Sequence, residues 1–387
     1  MTAAPSHIGS ICFLETEDWA FHKHRLALGR AALAAGFKVT LIAPVSAAAA
    51  KLRAEGFEVL PLRLARTGTN PVDEARAIAD ITRMYRRLKP DIVHHLSVKA
   101  VLHGTIAARL AGIPAIVNSI TGLGYTFADP TRPRQRALQA VIVAMLRGAL
   151  ASPQVRVIFQ NTDDQALCLE RRLVRKDRTI IVRGSGVNTR RFTPTPEAEG
   201  PPVVVLASRL LWDKGIGVLV EAARVLRADG VAFRLVLAGV PDPANPNSID
   251  PAILAGWVAE GIVENPGYVE DVAGLLATSH IACLPSIYRE GLPLFLLEAA
   301  AAGRPVVTTD TPGCRDTVVD GETGLIVPSR DVGALVGALR VLIEDPVVRA
   351  RMGAAGRARV LGQFSDESVI RGIFDIYEDL LGRSISR

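Results

Sequence analysis

Short apolar runs rich in β-branched residues alternate with longer Ala-, Leu- and Arg-rich segments along this chain. That alternation limits the folds open to it more than any other feature, because strands spaced by helix-length segments read as βα repeats and parallel sheets. In the first half the strand candidates are 8–14 (IGSICFL), 38–43 (KVTLIA), 57–62 (FEVLPL), 91–96 (DIVHHL), 115–120 (AIVNSI) and 155–160 (VRVIFQ), with a last strand in DRTIIVRGSGVNTRRFTP at 177–194. Helical segments fall between them, among them 22–35, 73–88, 99–111 and 132–150. TPTPEAEGPP (193–202) is Pro-rich, polar and without periodicity, which marks a linker. The alternation then restarts with strands at 203–208, 233–239, 280–285, 305–309 and 324–328 and a helix from Gly215 to about Ala228. Helical pattern closes the chain over 331–343 and 346–384, broken near Phe364–Ser365. The expectation is an α/β chain of two doubly wound parallel-sheet domains facing across a cleft. Its segments would be 1–195, 196–365 and a terminal helix in 366–387. Ligands of such sheets sit beyond the carboxyl ends of the strands, so site residues belong in loops that follow strands.

A length of 387 residues suits two domains, and 49% hydrophobic residues supply their cores. Cys12, Cys168, Cys283 and Cys314 are scattered, with no CxxC and no His/Cys cluster. This argues for a reducing compartment and against structural zinc. The N-terminus lacks the basic region of a signal peptide, and no run of about 18 apolar residues offers a membrane span. The net charge of +6 hides an asymmetry: residues 1–200 carry 28 Lys/Arg against 16 Asp/Glu, the remainder 17 against 23. The first half therefore favours an anionic partner, whether nucleic acid, an anionic membrane or a diphosphate. Aromatics are only 5% and no nucleic-acid motif occurs, which sets nucleic acid aside.

Two stretches of the second half carry chemistry. ASRLLWDKGIGVLVEAARVL (207–226) leaves a strand and opens a helix. Arg209 and Lys214 stand on its connecting loop, and Gly215 and Gly217 allow close backbone approach at the helix start. Unsatisfied N–H groups at a helix N-terminus favour phosphate, and two cations beside them strengthen the site. The plain alternative is a solvated loop with surface charges. The stretch is neither GxGxxG nor GxxxxGK[ST], so dinucleotide and P-loop readings find little support. YREGLPLFLLEAAAAGRPVV (288–307) follows another strand and sets Glu290 and Glu298 eight positions apart. Pro293 suits the first turn of a helix that Gly303 ends. The N–H groups around 291–294 border a place for an anion or a sugar oxygen, which makes Gly291, Leu292 and Pro293 a donor-binding stretch. A carboxylate accepts two hydroxyls, so a ribose diol suits Glu298. The alternative makes both glutamates surface charges. The apolar neighbours Leu296 and Leu297 oppose it, since an unpaired buried carboxylate is costly.

With SRLLWDKG, LVLAG, GYVEDV, LPSIYREGLPLFLLEAAAAGRPVVTTD and GLIVP, the region 203–345 resembles the retaining, two-domain GT-B glycosyltransferases of the E-x7-E group, family 4 type. Glu290 and Glu298 match the two motif glutamates. The resemblance implies that Glu290 lies near the transferred sugar, that Glu298 binds the nucleotide ribose, and that Arg209 and Lys214 hold the diphosphate. It also implies that the terminal helix packs back on the first domain. The first half matches more loosely. ETEDWAFHKHR (15–25) stands where relatives often carry a glycine-rich loop, and ITGLGYTF (120–127) where many carry a histidine, which Thr121 replaces. GLGY and HHLSVKAVLHG (94–104) are similar to the branch that extends polyprenyl-diphosphate-linked sugars. Gly122 and Gly124 would then admit a sugar or phosphate, and Lys99 would meet an acceptor phosphate; the alternative for the glycines is a tight turn. Of His94 and His95, which alternate across a strand, at least one reads as packing, and His22 and His24 read as surface groups.

The implied protein moves a sugar from a nucleotide sugar, a UDP-sugar first, to a lipid-linked (undecaprenyl-type) saccharide in polysaccharide biosynthesis. It would be a hexosyl- or N-acetylhexosaminyltransferase at the cytoplasmic face of the cell membrane. The basic segments 75–90 and 131–152 would touch anionic lipid. With two cations on the leaving diphosphate and no Asp-x-Asp, no metal and no cofactor is expected. Other readings remain open: a GT-B sugar-nucleotide epimerase, a phosphorylase, or a non-catalytic nucleotide-sugar binding protein.

Overall fold

A computed structural model describes residues 7–64, 70–123, 127, 133–243 and 245–385. By packing, the chain divides into two units, Met1–Gly186 with Asp366–Arg387, and Val187–Ser365. The break lies ahead of the Pro-rich stretch. Val187 already bonds to the Phe364 carbonyl (2.9 Å), and Phe192 is buried in the second core.

In the first unit, strands β1 (Gly9–Leu14), β2 (Phe37–Ala43), β3 (Glu58–Pro61), β4 (Ile92–Leu96), β5 (Ala115–Ile120), β6 (Val155–Phe159) and β7 (Thr179–Ile181) form one parallel sheet in the order β3-β2-β1-β4-β5-β6-β7. The order reverses between β1 and β4, the switch point of a doubly wound sheet. Helices α1 (Asp18–His24), α2 (Leu26–Ala34), α3 (Ala48–Ala54), α4 (Pro71–Leu88), α5 (Val98–Ala111), α6 (Pro133–Leu150) and α7 (Thr162–Glu170) connect the strands. Local chemistry sets their ends. Asn70 accepts from the Val72 amide and Pro71 opens α4, while Lys89 ends it in the left-handed region. β4 and β5 are buried on both faces, so the alternation rule does not separate His94 from His95. Both are buried. His94 bridges Ser119 Oγ and Tyr377 Oη (2.7 Å each), and His95 bonds Asn118 Oδ1 (2.7 Å) and Tyr85 Oη (3.1 Å). Tyr377 belongs to the last helix, α14 (Asp366–Leu381), whose apolar face (Val369, Ile373, Phe374, Ile376, Tyr377) completes this unit's core.

The second unit holds β8 (Val203–Ala207), β9 (Arg234–Ala238), β10 (Ile281–Leu284), β11 (Val306–Thr309) and β12 (Gly324–Val327), all parallel, in the order β12-β11-β10-β8-β9. Its switch point falls between β8 and β10. Helices α8 (Ile216–Ala228), α9 (Pro251–Ala259), α10 (Val272–Ala277), α11 (Leu294–Ala301), α12 (Val332–Glu344) and α13 (Pro346–Gln363) cover it. α11 is apolar nearly all round because it is buried, with Phe295, Leu296, Leu297 and Ala299–Ala301 in the core. The chain breaks between α13 and α14 at Phe364–Ser365.

Candidate functional site

The loops that leave β8 and β10 diverge at the switch point of the second sheet, and they carry the residues singled out from the sequence. After β8 the chain passes Arg209, makes a single 3-10 turn over Trp212–Lys214, and enters α8 through Gly215. Gly215 sits at φ +72°, and a Cβ there would lie 1.8 Å from the Pro285 carbonyl oxygen at the end of β10. Only glycine lets the two loops touch. The Ile287 amide then donates to the Asp213 carbonyl (2.9 Å) and ties the loops together.

This contact brings Lys214 to Glu290 across 76 residues: Nζ lies 2.6 Å from Oε1, with both side chains about one-fifth exposed. Ser286 Oγ lies 3.1 Å from the same Oε1, and its carbonyl is held by Thr309 Oγ1 at 2.6 Å. The Glu290 amide donates to the Pro312 carbonyl (2.9 Å). Cys314 lies beneath: burial, and then the negative Glu290, push its thiol up to about 11, which keeps it protonated and unreactive.

Gly291, Leu292 and Pro293 are buried and lead into α11. Pro293 is its N-cap, one position ahead of the expected first turn, and no side chain caps the helix. Glu298 lies one turn into α11, half-buried. Arg209 does not join Lys214 in a common ion pair. It reaches the loop after β9, where Nη1 lies 2.7 Å from Asp242 Oδ2, on a side chain 44% exposed. Asp242 and Asn247, whose Nδ2 donates to Asp213 Oδ2 (2.8 Å), went unread in the sequence. Their signal was the loop VPDPANPNSID after a strand.

In the first unit, Thr121 and Gly122 follow β5 and are half-buried, and Gly122 has φ +142°. Gly124 lies outside the described residues. Lys99, in the first turn of α5, is engaged by Glu74 (2.7 Å), and His103 Nε2 lies 2.6 Å from that carboxylate's other oxygen. His22 and His24 are half-buried rather than surface groups, and burial pushes His24 down to about 4. Among the basic helices, Arg147 of α6 donates to the Arg171 and Arg172 carbonyls and so is structural. The same helix leaves Leu138, Val141 and Met145 exposed beside Arg134 and Arg136. The four cysteines are buried and none is in a disulfide. Among the described residues no helix is long and apolar enough to cross a membrane, and no three His, Cys, Asp or Glu gather as a metal site.

Residues 10–161 match the family model described as "Glycosyl transferase 4-like", and residues 201–345 match "Glycosyl transferases group 1". The chain is 24% identical to the N,N'-diacetylbacillosaminyl-diphospho-undecaprenol alpha-1,3-N-acetylgalactosaminyltransferase of Campylobacter jejuni, over 96% of this chain and 99% of that protein. It is 23% identical to the UDP-Gal:alpha-D-GlcNAc-diphosphoundecaprenol alpha-1,3-galactosyltransferase of Escherichia coli, over 80% and 81%. Among solved structures, the glycosyltransferase of Rickettsia africae aligns with a TM-score of 0.77 at 18% identity, covering 97% of this chain and 99% of that one. Anabaena Alr3699/HepE, in complex with UDP and glucose, aligns with a TM-score of 0.75 at 17% identity, covering 96% and 99%. With both halves matched and both sheets placed, the protein is a glycosyltransferase of the GT-B fold, a group 1 domain preceded by a 4-like domain.

Proposed function

We propose that this enzyme moves a sugar from a UDP-sugar to a saccharide carried on polyprenyl diphosphate, with retention of anomeric configuration, in the assembly of cell-surface glycan. The observation that carries the donor side is the Lys214–Glu290 pair at the β8/β10 switch point. An ammonium offers three donors, and Glu290 occupies one. The others serve a diphosphate oxygen, whose charge grows as the bond to the sugar breaks. Arg209, on the same loop, adds a second cation. Glu290, held by Lys214 and Ser286, accepts a hydroxyl of the transferred sugar, and Glu298 takes the ribose diol. With these cations on the leaving group, transfer proceeds without a divalent metal, by attack on the face the diphosphate leaves.

The acceptor class rests on the two relatives, both named for undecaprenol-diphosphate-linked substrates; the second is also named for UDP-Gal. A membrane-face location is supported by the exposed apolar row Leu138, Val141 and Met145 with Arg134 and Arg136, which suits anionic lipid. The test mixes purified protein with a panel of UDP-sugars and a polyprenyl-diphosphate-linked disaccharide in anionic vesicles, with and without chelator. UDP release and the anomeric configuration of the lipid-linked product are followed. Chelator-resistant transfer with retention is expected. UDP-sugar consumed without acceptor, or only with free phosphate, would instead mark an epimerase or a phosphorylase.

A further inference from the structure

The first unit has its own switch point, and polar groups there are buried without being fully satisfied. Glu15 directly follows β1 and Ser97 directly follows β4, the two strands between which the sheet order reverses. Glu15 is 7% exposed; its Oε1 accepts from the Thr16 amide (2.8 Å) and hydroxyl (3.2 Å). Ser97 holds φ +80°, a strained conformation for a residue with a side chain. Its buried Oγ completes no hydrogen bond of good geometry, although it lies near enough to the Glu15 carboxylate to favour its charged form. Arg25, between α1 and α2, is 4% exposed, and its guanidinium makes no hydrogen bond or ion pair among the described residues. Glu15 is within its electrostatic reach, as is Tyr377. Buried polar groups are ordinarily paired, so a carboxylate, a guanidinium and a hydroxyl left open together call for a ligand.

The signs of the charges select its class. A phosphate would meet Arg25 and also the repelling Glu15. A sugar is neutral, and each of its hydroxyls both donates and accepts, which matches a carboxylate beside a guanidinium. We propose that Glu15, Arg25 and Ser97 hold the terminal sugar of the acceptor saccharide, and that Glu15 takes the proton from its attacking hydroxyl. This rests on the transfer reaction proposed above. The acceptor O–H bond breaks with its proton passing to Glu15. The freed oxygen pair forms the bond to the anomeric carbon of the donor sugar. The bond from that carbon to the diphosphate breaks, its electron pair leaves with the diphosphate, and Glu15 returns its proton to solvent. Burial raises the Glu15 carboxyl to about 7, against the lowering effects of Thr16, Arg25 and Ser97, which suits a group that accepts and releases a proton near neutrality. The other titratable groups around it do not compete there. Burial holds His24 at about 4 and His94 well below its usual range, and it raises Tyr377.

The experiment compares wild type with Glu15→Gln and Ser97→Gly in transfer to the lipid-linked disaccharide between pH 5.5 and 9. Calorimetric UDP-sugar binding and thermal unfolding are measured alongside. The wild-type kcat should rise through about pH 7. Glu15→Gln should lower kcat about 100-fold or more and abolish that limb, with donor Kd unchanged within about twofold. Ser97→Gly, which removes a hydroxyl that favours the carboxylate, should move the limb to higher pH. A Glu15→Gln enzyme with wild-type kcat and an intact limb overturns the inference while leaving the proposed function standing. If that variant does not fold, Ser97→Gly decides: a shifted limb supports the inference and an unmoved one overturns it. A wild type without transfer to the acceptor overturns both together.

Discussion

Lys214 and Arg209 look equivalent in the sequence, two cations on one loop, yet their surroundings differ enough to separate their effects. Lys214 is largely buried against Glu290, whereas Arg209 pairs with Asp242 on a side chain 44% exposed. An exposed ion pair contributes about 0–1 kcal/mol to stability. Arg209→Ala should therefore leave the melting temperature nearly unchanged while lowering kcat/KM about tenfold or more, and unaltered kcat/KM would remove Arg209 from the donor site. Lys214→Ala takes the cation away from a half-buried carboxylate that keeps Ser286, at a cost on the order of 1–2 kcal/mol, short of the ~3–5 of a fully buried pair. It should also lower kcat about 10²–10³-fold, the usual loss when one charge-stabilising donor is removed. Thermal unfolding and steady-state kinetics on both variants check this; equal rates for Lys214→Ala and wild type would contradict the role given to the ammonium.

Elements were far easier to read than the contacts between them. The strand runs stand out because β8 and β10 are short, continuous and apolar, and the break at Phe364–Ser365 interrupts an otherwise helical pattern. The segment 22–35 looks continuous in periodicity, but the helix breaks at Arg25 (φ −133°, ψ 3°), whose burial is a tertiary fact with no local signature. Short α3 and α10 have too few residues for a period to show. The pairing of Lys214 with Glu290 depends on β8 lying beside β10 rather than on sequence distance, so strand order had to be known first. Alternation across a strand makes at least one of His94 and His95 a packing residue; β4 is buried on both faces, so both are, and the polar Asn118 and Ser119 inside AIVNSI were the available hint that both needed partners. Gly215 exposes the element-level constraint to a direct test. Gly230 has a similar φ of +78° with nothing within 4 Å of a built Cβ, while Gly215 at +72° would meet Pro285 O at 1.8 Å. Gly230→Ala should cost about 1 kcal/mol from backbone strain alone, and Gly215→Ala clearly more, because the β8 and β10 loops must separate. Urea midpoints of the two variants read the difference; equal losses would mean the loops are not held in contact by that glycine.

For the molecule as a whole, buried titratable groups in the first unit make stability respond to pH in two opposing directions. His95 has a folded value lowered to about 4, by burial against the weaker effect of Asn118, so its neutral form is the one the fold holds. Its contribution is present above the unfolded value of about 6.5 and is lost as pH falls through the folded value, a swing of roughly 3 kcal/mol. His94, lowered in the same direction by burial, adds to that loss. Glu15 acts oppositely. Its folded value is raised to about 7, so its contribution is present below the unfolded value of about 4.5 and is lost as pH rises through 7. From pH 7 down to 5, therefore, protonation of Glu15 offsets part of what the two histidines lose. Glu15→Gln removes the offsetting group and keeps the shape. The variant should equal or exceed wild type in stability at pH 8, where an ionised Glu15 is a burden to the fold, and lose stability more steeply on acidification. Hydrogen exchange of the β1 and β4 amides, corrected for intrinsic rates at each pH, reports this unit separately from the other. Parallel pH dependences in the two proteins would show that Glu15 is ionised in the native state throughout, and would leave it no proton to exchange with an acceptor near neutrality.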